Sequence, residues 1–377
     1  MNNCTILLNK LLGIIDQNFL EKLIEKYNSD YKIQKLTTKV HLFYLIYFHL
    51  TKKVSLADFV ADLESNDNLN EAVPKISKSQ LSRKNENRSY KIFFETFQHL
   101  FDKLKAKVGF KETLKEVGSV KALDSSTISL CLSAFPWANF RKNKGGIKLH
   151  TLYDLNAEAP ENIIITEALM HDKKIFANLD LNPACTYIFD RAYIDYQKFD
   201  EFIENDIYFV TRAKSNTKIE VVRSLEPNQQ DKDSGVLKDA DVILGNYNTK
   251  TRMKNELRLV RVKFIDSNQK ERTIDILTNR FDLEAYQIAQ LYKERWNIEL
   301  FFKWIKQNLK IKKFFGQNKN AVFIQIYSAI ILLLLLRIIK EVSEFSGTLL
   351  KLTRKIRYSI FSTVNTESSW KQWISDT

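Results

Sequence analysis

Residues 321–339 read AVFIQIYSAIILLLLLRII, a run with no acidic side chain and one basic residue, Arg337. A helix that is apolar on every side has to be surrounded on every side, by lipid or by protein. The run falls just short of the roughly 20 residues that span a bilayer. Gln325 and Ser328 interrupt it, Arg337 closes it off, and no second segment of this kind accompanies it. A helix buried at the centre of a large core, with no membrane partner, is therefore expected. At 377 residues the chain is long enough for two or three domains and at least one such core.

The pattern changes along the chain. Residues 1–110 read as an all-helical N-terminal domain. Apolar residues recur at helical spacing around 6–27, 38–51, 55–64 and 78–105, and Pro74 and Asn/Ser clusters separate the segments. In VPKISKSQLSRKNENRSYKIFFETFQHLF, Ser, Gln, Arg, Lys and Asn lead into apolar turns. Reading helices of helix-turn-helix units are often built that way. A charged surface helix in a small bundle fits equally well, and both readings stay open.

From residue 117 short strands and helices alternate. GSVKALDSSTISL reads as a strand ending at Asp124, and GIKLHTLYDL and ENIIITEALM as two further strands of a meander. HDKKIFANL is a short helix, CTYIFD a buried strand ending at Asp190, DYQKFDEFIEND a helix, and IYFVTRAK a fifth strand. The order β-β-β-α-β-α-β makes an α/β unit, and it is that of the ribonuclease H-like nuclease core. Residues 214–280 break the alternation with four β-like segments, IEVVRSL, GVLKDADVIL, ELRLVRVKFI and RTIDILTN, and read as a β-rich insertion. The α/β unit, 117–213, resumes over 281–340 with FDLEAYQIAQLYKERW, and 341–377 reads as a C-terminal helical tail.

Charge narrows the class of partner. Apolar residues at 44% and charged residues at 27% are ordinary for a globular chain, but a net charge of +13 is not. It points to a polyanion, nucleic acid first and a membrane surface second. The three cysteines, Cys4, Cys131 and Cys185, share no close spacing. That excludes a disulfide framework and a cysteine-based zinc site, and it fits a reducing cytosol. The first residues lack the basic start, long apolar run and cleavage site of a signal peptide. A cytoplasmic, nucleoid-associated protein is expected.

Three carboxylates carry the candidate chemistry. Asp124 in LDSS and Asp190 in FDRA stand at strand ends, where α/β folds gather functional groups. As neighbours they would repel unless a divalent cation lay between them. Glu299 is the third candidate. It lies in LYKERWNIELFFKWIKQNLKIKKFFG, where seven lysines and arginines face only Glu294 and Glu299. At about 100° per residue, one helix would place Tyr292, Arg295, Glu299, Lys303, Lys306 and Lys310 on a single stripe for five turns. A carboxylate that binds metal beside a DNA backbone needs such cations to hold phosphates. A solvated face with ordinary ion pairs is the alternative.

Three hard oxygen donors suit Mg²⁺ or Mn²⁺, and two ions about 3.5–4 Å apart could serve the attacking and leaving oxygens of a phosphodiester. Asp124 could instead form a turn or cap, and Asp190 an ion pair with Arg191. Asp195, His171 and Asp172 are rival positions. Asp172 reads as the N-cap of the helix that follows it, with a place behind the metal ligands as the alternative.

Tyr292, two residues, Arg295, three residues, Glu299, six residues and Lys306 reproduce the Y-R-E-K signature of the IS4-family DDE transposases. LDSST and FDRAYID resemble the first and second acidic motifs of that family, and TEALMHD and FVTRAK resemble its flanking segments. The resemblance covers roughly residues 117–340. It implies a ribonuclease H-like catalytic domain with a β-strand insertion before the Glu299 helix, and Asp124, Asp190 and Glu299 as its metal-binding triad. Tyr292, Arg295 and Lys306 would contact transposon-end phosphates, and Arg212 and Lys214 are DNA contacts by position. Family members excise their element by cut and paste, often through a DNA hairpin that an aromatic residue of the insertion stabilises. Here the insertion offers Tyr247 and Phe264 but no Trp.

The expected function is therefore metal-dependent cleavage and strand transfer at terminal inverted repeats, with double-stranded DNA as partner. Synapsis of two ends implies a homodimer, to which residues 340–375 could contribute. The alternatives are a structure-specific nuclease that never joins strands, and a non-catalytic DNA-binding protein of transposase descent.

Overall fold

Val120–Leu123, Thr186–Phe189 and Phe209–Thr211 are buried at every residue rather than at every second one. A strand with that pattern has both faces covered. The computed structural model describes residues 4–52, 55–65, 67–141, 144–246, 252–265, 269–309, 311 and 313–376. They form two compact units.

The first unit comprises 109–127 and 147–301. Its sheet is built from β1 (Val120–Leu130), β2 (Lys144–Asp154), β3 (Ala159–Glu167), β4 (Thr186–Phe189) and β5 (Tyr208–Arg212). It continues with β6 (Ile219–Leu225), β7 (Val236–Leu244), β8 (Leu257–Ile265) and β9 (Glu271–Thr278). In space the order is β2-β1-β4-β5-β9-β8-β7-β6, and β3 pairs with β2. β4 runs parallel to both β1 and β5, and β6–β9 are joined by antiparallel pairs.

Parallel neighbours need a crossover, and α1 (Tyr196–Glu204) supplies the one between β4 and β5. Its buried Phe199 and Phe202 pack under the sheet, with Phe199 stacked on Phe209 at 4.4 Å between ring centroids. Burying each such ring stabilises the fold by about 2–3 kcal/mol. The segment HDKKIFANL is a 3₁₀ turn, Asp172–Asn178, rather than an α-helix; no side chain caps its start.

The four strands expected in the insertion are present, and they extend the same sheet. Ile276 of β9 pairs with Arg212 of β5. Cross-strand ion pairs hold this half: Arg258 donates to both carboxylate oxygens of Asp239, at 2.9 and 2.6 Å. α2 (Ala285–Glu294) follows, then α3 (Trp296–Asn308). The single five-turn helix expected here is interrupted at Arg295. There the bonding tightens to i→i+3, from Arg295 N–H to Tyr292 O and from Ile298 N–H to Arg295 O.

The second unit comprises 1–108, 128–146 and 302–377, so the division falls within α3, and the segment 281–340 is shared between the units. At its centre is α4 (Lys319–Val342), capped by Asn318. Of its most apolar 18-residue window, 94% is buried. It packs against the helices Thr38–Thr51 and Tyr90–Lys105, with Tyr327 stacked on Tyr90 and Phe97.

Both polar interruptions of α4 have protein partners. Gln325 donates to Lys313 O at 2.8 Å and accepts from Phe315 N–H at 3.0 Å. Ser328 Oγ lies 3.1 Å from His49 Nε2. The expected C-terminal helical tail is helical in part and packed, over the described residues 341–376. Helix Leu349–Tyr358 buries Leu352, Thr353 and Ile356, and Thr363–Asn365 pairs antiparallel with Cys4–Ile6.

Candidate active site

β1 continues past Asp124 to Leu130, but its full burial stops at Leu123. The four buried residues of β4 likewise end just before Asp190. The two strands are parallel, and Leu123 is in register with Phe189. Asp124 and Asp190 are therefore the next pair, side by side at one sheet edge, where strands lie about 4.8 Å apart.

Glu299, on the first turn of α3, is tied to the same edge through Arg295. Arg295 Nη2 donates to Glu299 Oε1 at 2.6 Å, and Nη1 lies 3.9 Å from Asp124 Oδ2. Tyr292, buried on α2, lies against Arg295, whose guanidinium is 5.8 Å from the ring centroid. Burial raises the pKa of the Tyr292 phenol; Asp190 raises it further, and Arg295 and Arg212 oppose the shift.

Asp124 is the perturbed carboxyl of the group. Burial pushes its pKa up to about 6, against the Ser125 N–H and Arg295, while Glu299 and Asp190 add to the rise. Ser125 N–H reaches Asp124 Oδ1 at 2.7 Å. Nearby, Ser125 Oγ donates to Asp172 Oδ1 at 2.6 Å, and Lys148 Nζ sits 3.1 Å from the same oxygen. His150 Nδ1 is 3.8 Å from it, and burial lowers the pKa of this imidazole to about 4, so it is neutral at pH 7. The hydroxyl of Tyr193 is buried close by, beside Ser125. Burial holds its pKa well above the usual value, with the charges of Asp124, Asp172 and Asp190 adding.

The rival acids separate accordingly. Asp172 does not cap the turn that follows it: the N-cap position belongs to His171, and the carboxylate of Asp172 is engaged by Ser125 and Lys148. Asp195 does act as a cap, accepting from Lys198 N–H, and pairs with Lys173 at 3.1 Å. Among the described residues no ion pair joins Asp190 to Arg191, which is exposed.

Of the expected DNA contacts, Arg212 ends β5 half-buried, and Lys214 is exposed. Lys303 is exposed and Lys306 half-buried, both in the part of α3 that belongs to the helical unit. Lys310 and Tyr247 lie outside the described residues, and Phe264 is partly exposed on β8. Ser125, Lys148, His150 and Tyr193 were not singled out from the sequence. Lys148 and His150 left a trace, two polar residues at period two among the apolar Ile147, Leu149 and Leu152 of their strand.

Three carboxylates are hard oxygen donors of the kind divalent ions take. Among the described residues, however, no three acidic, His or Cys side chains already converge as ligands. Arg295 directs one nitrogen toward each of two of these carboxylates. The donor chemistry fits a metal once Arg295 moves aside.

Comparison with known proteins agrees in kind. Residues 115–335 match the family described as Transposase DDE domain, and residues 3–72 match a Domain of unknown function (DUF4372). The chain is 34% identical over 282 residues to y4zB of Sinorhizobium fredii, a protein named as a transposase, covering 74% of this chain and 76% of that one. It is 27% identical over 339 residues to a Geobacillus stearothermophilus protein named as the transposase of insertion sequence element IS5377, covering 89% and 85%. A Synechocystis protein named for the element IS4SA is 27% identical over 284 residues, covering 74% and 76%.

Proposed function

The chain belongs to the IS4 family of DDE transposases, and from that premise we propose that Asp124, Asp190 and Glu299 are its metal-binding catalytic carboxylates. The protein is the transposase of an insertion sequence and an enzyme, and the DDE domain implies dependence on a divalent metal. The observation that carries the residue assignment is the Leu123–Phe189 register, which sets two carboxylates at one sheet edge, with Arg295 linking Glu299 to it. The order β3-β2-β1-β4-β5, with β4 parallel to both β1 and β5, supports a ribonuclease H-like core, and β6–β9 would be its insertion.

The three carboxylates suit Mg²⁺ or Mn²⁺, two ions in all, which would activate the attacking water or 3′-hydroxyl and stabilise the leaving oxygen. Ser125 N–H fixes the orientation of Asp124. Tyr193 and Phe199 form the packed floor that keeps the two aspartate strands in place. Arg295, once off Glu299, offers a planar fork to a phosphate, beside Tyr292 and Arg212. Lys303, Lys306 and Lys310 would extend the phosphate contacts. The substrates are the terminal inverted repeats of the element and its target DNA, cut and rejoined in the nucleoid by a homodimer that holds two ends. Residues 340–375, with Val342 and Tyr358 exposed, would contribute to that dimer.

The test uses DNA flanking this protein's own gene, labelled at one end, with Mg²⁺ and either wild-type protein or Glu299→Gln. Wild type should nick at a defined boundary and join 3′ ends to a target, and the variant should bind without cutting. Binding with no cutting by either protein would refute the catalytic assignment. Cutting without joining would leave a nuclease.

A further inference from the structure

A groove of about 520 Å³ in the helical unit runs between the loop 32–36 and the helix Lys78–Asn87. Lys32 and Lys35 line one side, and Arg83 and Lys84 the other; no acidic side chain lines it. Two other exposed lysines of this unit do have carboxylate partners, Lys26 with Glu95 at 2.8 Å and Lys39 with Glu21 at 3.0 Å. Among the described residues Lys32, Lys35 and Arg83 have no carboxylate partner. Four cations in one groove repel each other, a cost that a bound polyanion would remove.

The groove is built rather than incidental. Gln80, Arg83, Lys84 and Asn87 follow the i, i+3, i+4, i+7 spacing of one helix face, and Leu81 and Asn85 are buried on another. The loop is pinned from beneath by Arg88, whose side chain is fully buried. Arg88 pairs with Asp30 at 3.0 Å and donates to Leu36 O and Thr37 O at 2.8 and 3.1 Å. Asp30 in turn accepts from Thr38 N–H at 2.8 Å. A loop held this way loses little freedom on binding.

We propose that this groove clasps the sugar–phosphate backbone of the transposon-end DNA, in the unit that does not contain Asp124, Asp190 and Glu299. Lys32, Lys35, Arg83 and Lys84 neutralise phosphates, and the amides of Gln80 and Asn87 donate to phosphate oxygens or base edges at its rim. The proposal rests on the transposase reading above.

The test measures the affinity of the full chain for an end-containing duplex across a range of salt concentrations, by fluorescence anisotropy. Lys35→Ala/Arg83→Ala removes two groove cations. Lys26→Ala/Lys39→Ala removes the same charge from carboxylate-paired positions, and circular dichroism checks that both variants are folded. The groove variant should flatten the slope of log K against log salt by about 1.8, at ~0.9 for each lost phosphate contact, while the control leaves it near wild type. An unchanged slope in the groove variant, or an equal fall in both, overturns the groove. If wild type still nicks the end DNA, that result touches the groove alone. A wild-type protein that binds no end DNA removes both the groove and the transposase reading.

Discussion

Arg295 and Glu299 are joined by a 2.6 Å hydrogen bond from guanidinium to carboxylate, one helical turn apart. The same guanidinium lies 3.9 Å from Asp124. An arginine proposed to hold phosphate thus faces two carboxylates proposed to hold metal. Removing it should separate the two roles. In DNA-free protein, Arg295→Ala is expected to bind Mn²⁺ more tightly, by roughly tenfold, the equivalent of about 1.4 kcal/mol. End cleavage should fall at the same time. Mn²⁺ titration followed by electron paramagnetic resonance reads the first effect, and weaker metal binding by the variant would show that Arg295 supports the site rather than competing for it.

Asp124 carries a pH signature. Its folded pKa, near 6, lies above its ordinary 3.8, so the native state holds a proton that the unfolded chain releases earlier. Stability from this group is full below pH 3.8 and is lost as pH rises to about 6. With chelator present, Asp124→Asn should therefore melt higher than wild type at pH 8, by on the order of 2 kcal/mol after allowing for partial exposure. The difference should close by pH 4. Thermal melts across pH test this, and a constant gap would mean that charge burial is not the cause.

Asp172 holds Ser125, the residue that follows Asp124, and faces the ammonium of Lys148, whose side chain is only 11% exposed. Asp172→Asn keeps an acceptor for Ser125 but leaves Lys148 without its counter-charge, at a cost of about 2–3 kcal/mol. Turnover on end DNA should drop about tenfold while DNA affinity stays within twofold. Loss of affinity in step with turnover would assign Asp172 to the DNA surface instead.

In α4, Gln325→Leu makes an apolar helix more apolar and should still destabilise the protein. Lys313 O and Phe315 N–H, both part-buried, would lose their partner, at the lower end of the roughly 1–3 kcal/mol that an unmade buried bond costs. Thermal unfolding of the full chain should show a fall of several degrees. A rise would mean that the helix meets its surroundings through apolar contact alone.

The sequence by itself determined what local periodicity can encode. Largely apolar runs marked the strand stretches that stay buried up to Asp124 and Asp190, and burial on both faces follows from that pattern. A nineteen-residue run with only Gln325, Ser328 and Arg337 polar required a helix enclosed on all sides, and Tyr292, Arg295, Glu299 and Lys306 carried their spacing openly. The tertiary structure decided everything that depends on which distant segment becomes a neighbour. The register of β1 with β4 brought two aspartates together, and β9 chose β5 as its partner, so that the insertion prolonged the sheet. Asp172 became the partner of Ser125 and Lys148 instead of a cap, and Arg295 became the breakpoint between two helices and turned toward acids rather than solvent. Lys32 and Lys35 met Arg83 and Lys84 only because Arg88 pins the loop to the helix end. Periodicity records whether a side chain is buried; which group it meets there is set by packing across the chain, and no spacing within a segment contains that information.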